Sequence, residues 1–136
     1  MTSLRQRIGR LACLCVALTA LGVEGRGPVR CSLINLIATP ERFDGVRIQT
    51  VGYVRLRFEG NALFLSEDDA KHENTRNGLW LERNRDLEIR DGYALVEGVF
   101  RSDAKGHMAL WSGTISDIAR IEPWPPAQLP DAAATQ

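Results

Sequence analysis

Residues 46–58, VRIQTVGYVRLRF, alternate between apolar and mostly polar side chains, and they constrain the fold more than any other segment. Successive side chains of a β-strand point to opposite faces of its sheet, so this period of two predicts a long strand with one buried face. The chain can bend at a central glycine, which lets one strand serve both halves of a small barrel. The side chains expected to be buried are those of Val46, Ile48, Thr50, Val54, Leu56 and Phe58, with Gly52 as the central glycine.

Four shorter segments also have strand character, and turn signals such as the Asp-Gly pairs at 44–45 and 91–92 separate the strands. A closed barrel leaves no exposed sheet edge, so five strands in a chain of this size predict a mainly β, five-stranded barrel of the OB type. A β-sandwich fragment and an SH3-like barrel are the alternatives. Asp117 interrupts the last strand and predicts a bulge. The four segments are residues 62–66, 78–82, 93–101 and 110–121.

One short helix is expected before the barrel. Ser32 is a suitable N-cap, apolar residues follow it, and Pro40 ends the helix. The chain has 136 residues, which predicts a single domain. The predicted organisation is a signal peptide at 1–22, a linker at 23–30, an OB-like barrel domain at 31–124 and a disordered tail at 125–136.

The first 22 residues have the layout of a signal peptide. Three arginines precede an apolar run at 11–23, and these 13 residues are too few to span a bilayer, which needs about 20. Cleavage after Gly22 fits the small residues there, and a buried helix of the domain is the alternative. Cys13 and Cys15 lie inside the run, which argues against a lipoprotein. We therefore expect an exported protein, periplasmic or extracellular, with no stable membrane span in the mature chain.

The charge and cysteine content limit the partners of the mature chain. Without the three arginines of the first 22 residues, 14 basic and 17 acidic residues give a net charge of −3. Strong non-specific binding of nucleic acid needs a basic surface, so nucleic acid is not an expected partner. Cys31 is the only cysteine left after cleavage. It cannot form a disulfide within the chain, although one between two chains is open to it.

Five sequence patterns resemble a family of small, uncharacterised bacterial exported proteins with an OB-like β-barrel. The resemblance extends from Ser32 to Trp124, nearly the whole mature domain. It implies the fold and the exported location, and it transfers no catalytic residue because no activity is assigned to that family. The patterns are SLINLIATPERFDGVRIQTVGY, FEGNALFLSEDD, NGLWLE, LVEGVF and GHMALWSGTISDI.

The outer face of the long strand carries the predicted ligand-binding residues. Tyrosine and tryptophan offer stacking surfaces and arginine offers planar donors, as on the faces of OB barrels that bind oligonucleotides or oligosaccharides. The alternative is an ordinary exposed face, with the arginines paired to Glu59, Glu82 or Glu97. We expect Trp111 and Trp124 to be packing residues. The predicted ligand-binding residues are Arg47, Tyr53, Arg55, Arg57 and Trp80.

No segment carries a catalytic or metal-binding motif, so the sequence predicts no catalytic residue, no metal and no cofactor. Glu67, Asp68 and Asp69, with His72 and Glu73, have oxygen ligands suited to Ca²⁺ or Mg²⁺ but lack the spacing of an EF-hand. As residues of a helix start, these acids would also complement the helix dipole.

Three hypotheses about function follow. The first is a non-enzymatic binding or interaction module of the cell envelope, with an unidentified envelope protein or a glycan as partner. The second is a metal-dependent hydrolase that uses the acidic cluster and His72. The third is a structural subunit of an envelope complex, joined to its partner through Cys31. The oligomeric state is left open.

Overall fold

The computed structural model describes residues 27–58, 60–82 and 89–125. Six strands, two short α-helices and three 3₁₀ turns make up this part of the chain. The strands are β1 (Val29–Arg30), β2 (Arg47–Arg55), β3 (Ala62–Phe64), β4 (Gly78–Leu81), β5 (Gly92–Arg101) and β6 (Thr114–Pro123). The helices are α1 (Leu33–Ala38) and α2 (Glu67–Lys71), and the 3₁₀ turns are Pro40–Arg42, Thr75–Asn77 and His107–Ala109.

Strands β2 to β6 close into a barrel. The order around it is β2-β3-β4-β6-β5, and the antiparallel pairing of β5 with β2 closes the circle. The pairing of β4 with β6 is parallel, and the other pairings within the barrel are antiparallel. The prediction of a mainly β, five-stranded, OB-like barrel is therefore confirmed.

Strand β2 is long enough to pair with three neighbours. One edge pairs with β5 from Arg47 to Val54. The other edge pairs with β1 at Ile48 and Gln49 and with β3 from Tyr53 to Arg55. The N-terminal half of β2 therefore lies between β1 and β5, and its C-terminal half lies between β3 and β5.

Gly52 allows β3 to approach β2 closely. A Cβ atom at this position would lie 2.7 Å from the carbonyl oxygen of Phe64 and 2.9 Å from the side chain of Leu63. The register between β2 and β5 runs through Gly52 without a shift, so the glycine supports close packing without a bulge.

The barrel interior holds one apolar core, and α1 covers part of it. Ser32 caps α1 through a capping box with Asn35, and Leu33 and Leu36 point into the core. The helix ends at Ala38, before Pro40, as predicted. Further members of this core are Ile48, Val54, Leu63, Leu79, Leu81, Ala94, Val96, Phe100, Ile115 and Ile118.

The long strand and the last strand differ most from their predicted bounds. The long strand covers Arg47–Arg55, not 46–58, because the chain turns towards β3 after Arg55. The prediction that Phe58 is buried is wrong, since this side chain is 99% exposed in the connecting loop. The last strand begins at Thr114 instead of 110, because the preceding loop contains the 3₁₀ turn at 107–109.

The predicted bulge at Asp117 is present. Glu97 pairs with Arg120 whereas Val99 pairs with Ser116, so three residues of β6 lie opposite Gly98 alone. Asp117 has a positive φ of 45° within this bulge. The bulge resets the register of β6, and it thereby decides which side chains of its C-terminal half face outward.

Several predictions fall outside the described residues: the signal peptide at 1–22, the first half of the linker, Glu59 and nearly all of the tail. Val29 and Arg30, which we assigned to the linker, form a short parallel strand beside β2. None of the helices found in 27–58, 60–82 or 89–125 has the length and apolar character needed to cross a bilayer.

Candidate functional site

The five predicted ligand-binding residues lie at three separate places in the structure. Arg47 lies at the start of β2, 3.9 Å from the carboxylate of Glu97. Arg57 lies beyond the end of β2 and forms a 2.8 Å ion pair with Asp91. Tyr53, Arg55 and Trp80 lie around a second apolar cluster on the outside of the barrel. The predicted single recognition face is therefore divided.

We call this second cluster the aromatic face. Trp80 packs against Trp111 with ring centroids 5.8 Å apart, and Trp111 packs edge-on against Phe64 at 5.3 Å. Trp111 is only 6% exposed, which confirms its predicted packing role. The aromatic face consists of Tyr53, Ala62, Phe64, Ala70, Trp80 and Trp111.

Tyr53 forms the margin of the aromatic face. Its ring meets that of Tyr93 edge-on, with centroids 5.5 Å apart. Burial, followed by the negative charges of Glu67 and Asp91, raises the pKa of the Tyr53 hydroxyl. The phenol therefore stays neutral at physiological pH and is available as a hydrogen-bond donor.

Arg55 is committed to contacts within the protein. Its guanidinium lies over the Phe64 ring, 5.5 Å from the centroid, and donates to the carbonyl oxygen of Ala70 and to Glu73 Oε1, the latter at 2.9 Å. The side chain is 17% exposed. Arg55 thus fastens the end of α2 to the barrel through two of its nitrogens. Its third nitrogen, Nε, is buried without a partner among the described residues and is therefore out of reach of a ligand at the surface.

Helix α2 is built from the acidic cluster, and Asp69 has a structural role in it. Ser66 caps the helix by accepting from the Asp69 amide at 3.0 Å. The Asp69 carboxylate accepts hydrogen bonds from Asn77, Ser66 and Asn74 at 2.8–2.9 Å. These hydrogen bonds, that from Asn77 first, lower the pKa of Asp69. Within the described ranges, no three His, Cys, Asp or Glu side chains converge on a common point suited to a metal ion.

A small cleft of about 160 Å³ lies between α2 and the loop that precedes β6. Arg55, Glu73, His107 and Trp111 are among its lining residues. The backbone around it is strained, with positive φ values of 53° at Glu73, 55° at Met108 and 56° at Ala109. The volume of this cleft lies below the range of about 300–1,000 Å³ that is typical of small-molecule sites.

A larger depression, the β2–β5 groove, lies on the outer surface of the sheet formed by β1, β2, β5 and β6. Its volume is about 650 Å³, within the range typical of small-molecule sites. Trp124 borders it, and it has an apolar area at Val51 and Leu95. The lining residues are Arg30, Cys31, Ser32, Asn35, Gln49, Thr50, Val51, Leu95, Arg120 and Trp124.

The strand register explains why these side chains meet. Arg30 lies opposite Gln49, Gln49 opposite Glu97, and Glu97 opposite Arg120, so four outward-facing residues form a row across the sheet. Val51 and Leu95 form the adjacent row. Two arginines therefore occupy the ends of the row, with a glutamine and a glutamate between them.

Two buried polar atoms of residues that line the groove lack partners among the described residues. The hydroxyl oxygen of Thr50 is one of them. The Nε of Arg120 is buried and likewise unpartnered among these residues. Most buried polar groups are hydrogen-bonded, because leaving one unsatisfied costs about 1–3 kcal/mol. Arg120 thus offers an open donor to a group that enters the groove.

Trp124 and Cys31 give the groove its remaining chemistry. Trp124 is 50% exposed, and a 2.8 Å backbone hydrogen bond to Tyr93 fixes its position. The prediction that Trp124 is a packing residue is wrong for the exposed half of its side chain. Burial raises the pKa of the Cys31 thiol, so it is a weak nucleophile at neutral pH.

Sequence reasoning missed the groove for a specific reason. The alternation in β2 assigned Gln49 and Val51 to the outer face, but it gave no sign that Arg30, Arg120 and Trp124 border the same face. The register of β1 and the bulge in β6 bring these residues together. Strand alternation after Asp117, allowing for a bulge, is the one sequence signal that places Arg120 outward.

Comparisons with protein-family models, with curated proteins and with solved structures each found no match.

Proposed function

We propose that this chain is an exported, non-enzymatic binding module that holds a small organic ligand, or one unit of a larger partner such as a glycan, in the β2–β5 groove. The proposal of export rests on the sequence pattern of residues 1–22. The observation that supports the binding role is a groove of about 650 Å³ in which the buried Nε of Arg120 has no partner among the described residues and the Trp124 side chain is half exposed.

The chemistry of the groove supports this role. Val51 and Leu95 offer apolar contact, and the half-exposed indole of Trp124 offers a flat surface on which a ring or a sugar can stack. Gln49 can both donate and accept a hydrogen bond, which fixes the orientation of a bound group. Binding sites typically combine a mainly apolar lining with a few polar groups of this kind.

The aromatic face supports the role less well, although it contains two of the predicted ligand-binding residues, Tyr53 and Trp80, and a third, Arg55, packs on it. Its tryptophans pack against each other, and Arg55 is held by Ala70 and Glu73. A ligand there would have to displace contacts that the protein already makes. Asp69 is held in the same way, so the metal-dependent alternative receives no support from its geometry.

NMR titration of the ¹⁵N-labelled mature chain tests the proposal. The probes are phenyl β-D-glucopyranoside, phenyl β-D-glucuronide and phenyl phosphate, which combine a ring with neutral or anionic groups. We expect saturable shifts at the amides of Gln49, Val51 and Leu95 with at least one probe. Trp124→Ala is expected to weaken that binding about fivefold to tenfold, because stacking on the indole is lost.

Phe58→Ala is the matched control, since Phe58 is an exposed aromatic residue that does not line the groove. It is expected to leave the affinity unchanged. Shifts confined to Phe64, Trp80 and Trp111 would contradict the assignment of the groove, and a complete lack of saturable shifts would contradict the binding role for these ligand classes.

A further inference from the structure

We infer that the β2–β5 groove selects ligands that carry a carboxylate or a phosphate, with Arg30 and Arg120 as the residues that recognise the anion. This inference rests on the proposed function and names the chemistry of its ligand. Among the described residues, those that line the groove include these two arginines and no acidic residue.

Arg30 has fewer carboxylates near its guanidinium than Arg120 has, among the described residues. It lies at the exposed end of β1, and no carboxylate of the described residues comes within ion-pair distance of it. It lines the groove next to Ser32 and Asn35, whose side-chain hydrogen bonds are made with each other in the cap of α1. The guanidinium of Arg30 thus has no carboxylate partner at this end of the groove among the residues that the structure describes.

The carboxylates nearest to Arg120, at the other end of the groove, are too distant to accept hydrogen bonds from it. The nearest carboxylate oxygens belong to Glu122 at 3.7 Å and to Glu97 at 3.9 Å, both beyond hydrogen-bond distance. Its buried Nε has no partner in the described part of the chain. A planar guanidinium with open donors matches the two oxygens of a carboxylate or phosphate.

The surrounding charges favour one small anion over a polyanion. Glu97 lies in the row between the two arginines, but Arg47 and Arg120 both approach it at 3.9 Å and offset its charge. Arg30 adds a positive charge, whereas the mature chain as a whole has a net charge of −3. The attraction is therefore local to the groove, and a long polyanion would meet acidic surface outside it.

Arg47 provides a matched control for Arg120. The two side chains are 43% and 42% exposed and lie at the same distance from Glu97, yet only Arg120 lines the groove. Substitution of either by glutamine removes one positive charge next to Glu97. A difference between the two variants therefore reports contact with the ligand and not the general charge of the sheet.

Isothermal titration calorimetry with the three phenyl probes tests the inference. The glucuronide and the glucopyranoside differ only in a carboxylate against a hydroxymethyl group, and phenyl phosphate separates a phosphate preference from a carboxylate preference. We expect at least one anionic probe to bind about tenfold more tightly than the glucopyranoside, with an affinity that falls as salt rises.

Arg30→Gln and Arg120→Gln are each expected to weaken the anionic probe about fivefold to tenfold, with the larger loss for Arg30→Gln, and to leave the glucopyranoside unaffected. Arg47→Gln is expected to change neither. All three positions are at the surface, and thermal unfolding verifies that each variant is folded.

Equal affinity for the glucopyranoside and both anionic probes would overturn the anion selectivity while the groove remains a binding site. An equal loss in Arg47→Gln would overturn the roles of Arg30 and Arg120. If none of the three probes binds, the proposed function and the selectivity are both contradicted.

Discussion

The aromatic face and the β2–β5 groove share one strand and combine similar residue types, arginine with tryptophan. Tyr53 and Arg55, on the C-terminal half of β2, lie at the aromatic face, whereas Gln49 and Val51, on its N-terminal half, line the groove. The C-terminal half of β2 is covered by α2 and by the loop before β6. The N-terminal half is left open between α1 and Trp124.

This difference separates residues that stabilise the fold from residues available to a ligand. Arg55 donates to two acceptors within the protein and its side chain is only 17% exposed, and Trp111 has buried its surface against Phe64 and Trp80. The side chain of Arg120 makes no hydrogen bond with the described residues and is 42% exposed, and Trp124 is half exposed. Residue type alone therefore does not identify a binding surface on a small barrel, and the state of each side chain's partners does.

The largest expected effect contrasts two tryptophans. Trp111→Ala should lower the free energy of unfolding by about 3–5 kcal/mol, because it leaves a cavity in the aromatic face. Trp124→Ala should lower it by about 1 kcal/mol or less, since half of this side chain is exposed. Urea unfolding followed by circular dichroism measures both. Similar losses in the two variants would break the distinction between the faces.

A smaller effect is expected from two arginines of the same strand. Arg55→Ala should cost about 2 kcal/mol, because the carbonyl of Ala70 and the carboxylate of Glu73 lose a charged donor. Arg47→Ala should change stability by about 0.5 kcal/mol or less, as expected of an exposed ion pair at 3.9 Å. The same unfolding experiment compares them, and a larger cost for Arg47→Ala would show that Arg55 does not fasten α2.

The smallest effect depends on pH. The pKa of Asp69 is lowered in the folded state, so its contribution is present above the unfolded pKa of about 3.9 and is lost as pH falls through the folded value. Asp69→Asn should therefore cost about 1 kcal/mol at pH 7, and its deficit relative to the wild type should shrink below about pH 4.

Asp68→Asn is the control for this experiment, because Asp68 is exposed in the same helix and the substitution removes the same charge. Chemical unfolding at pH 7 and at pH 3 measures both variants. An Asp69→Asn deficit that stays constant with pH, or one that Asp68→Asn reproduces, would show that the hydrogen bonds to Asn74 and Asn77 do not stabilise α2.

The sequence was sufficient for the barrel because strand alternation and turn residues act locally. The alternation in β2 correctly placed Ile48 and Val54 in the core, and Ser32 and Asp117 correctly indicated the helix cap and the bulge. Phe58 was misplaced because periodicity continues past the point where pairing with β3 ends.

The candidate site was less predictable, because it depends on contacts between segments distant in the chain. Arg47 and Arg55 have the same phase in β2, and nothing local indicates that α2 covers only the second. The groove also needs β1, which pairs with β2 through just two residues, and the register of β6 after its bulge. These pairings are properties of the folded chain and have no periodic signal of their own.

The indole N–H signals of the three tryptophans give the most direct test of the division between the two faces. The experiment is a titration of the ¹⁵N-labelled chain with phenyl β-D-glucuronide and, separately, phenyl phosphate. Single Trp→Phe variants assign the three signals. We predict that the Trp124 signal moves in a saturable manner while those of Trp80 and Trp111 remain in place. Movement of Trp80 and Trp111 with a stationary Trp124 would contradict the account.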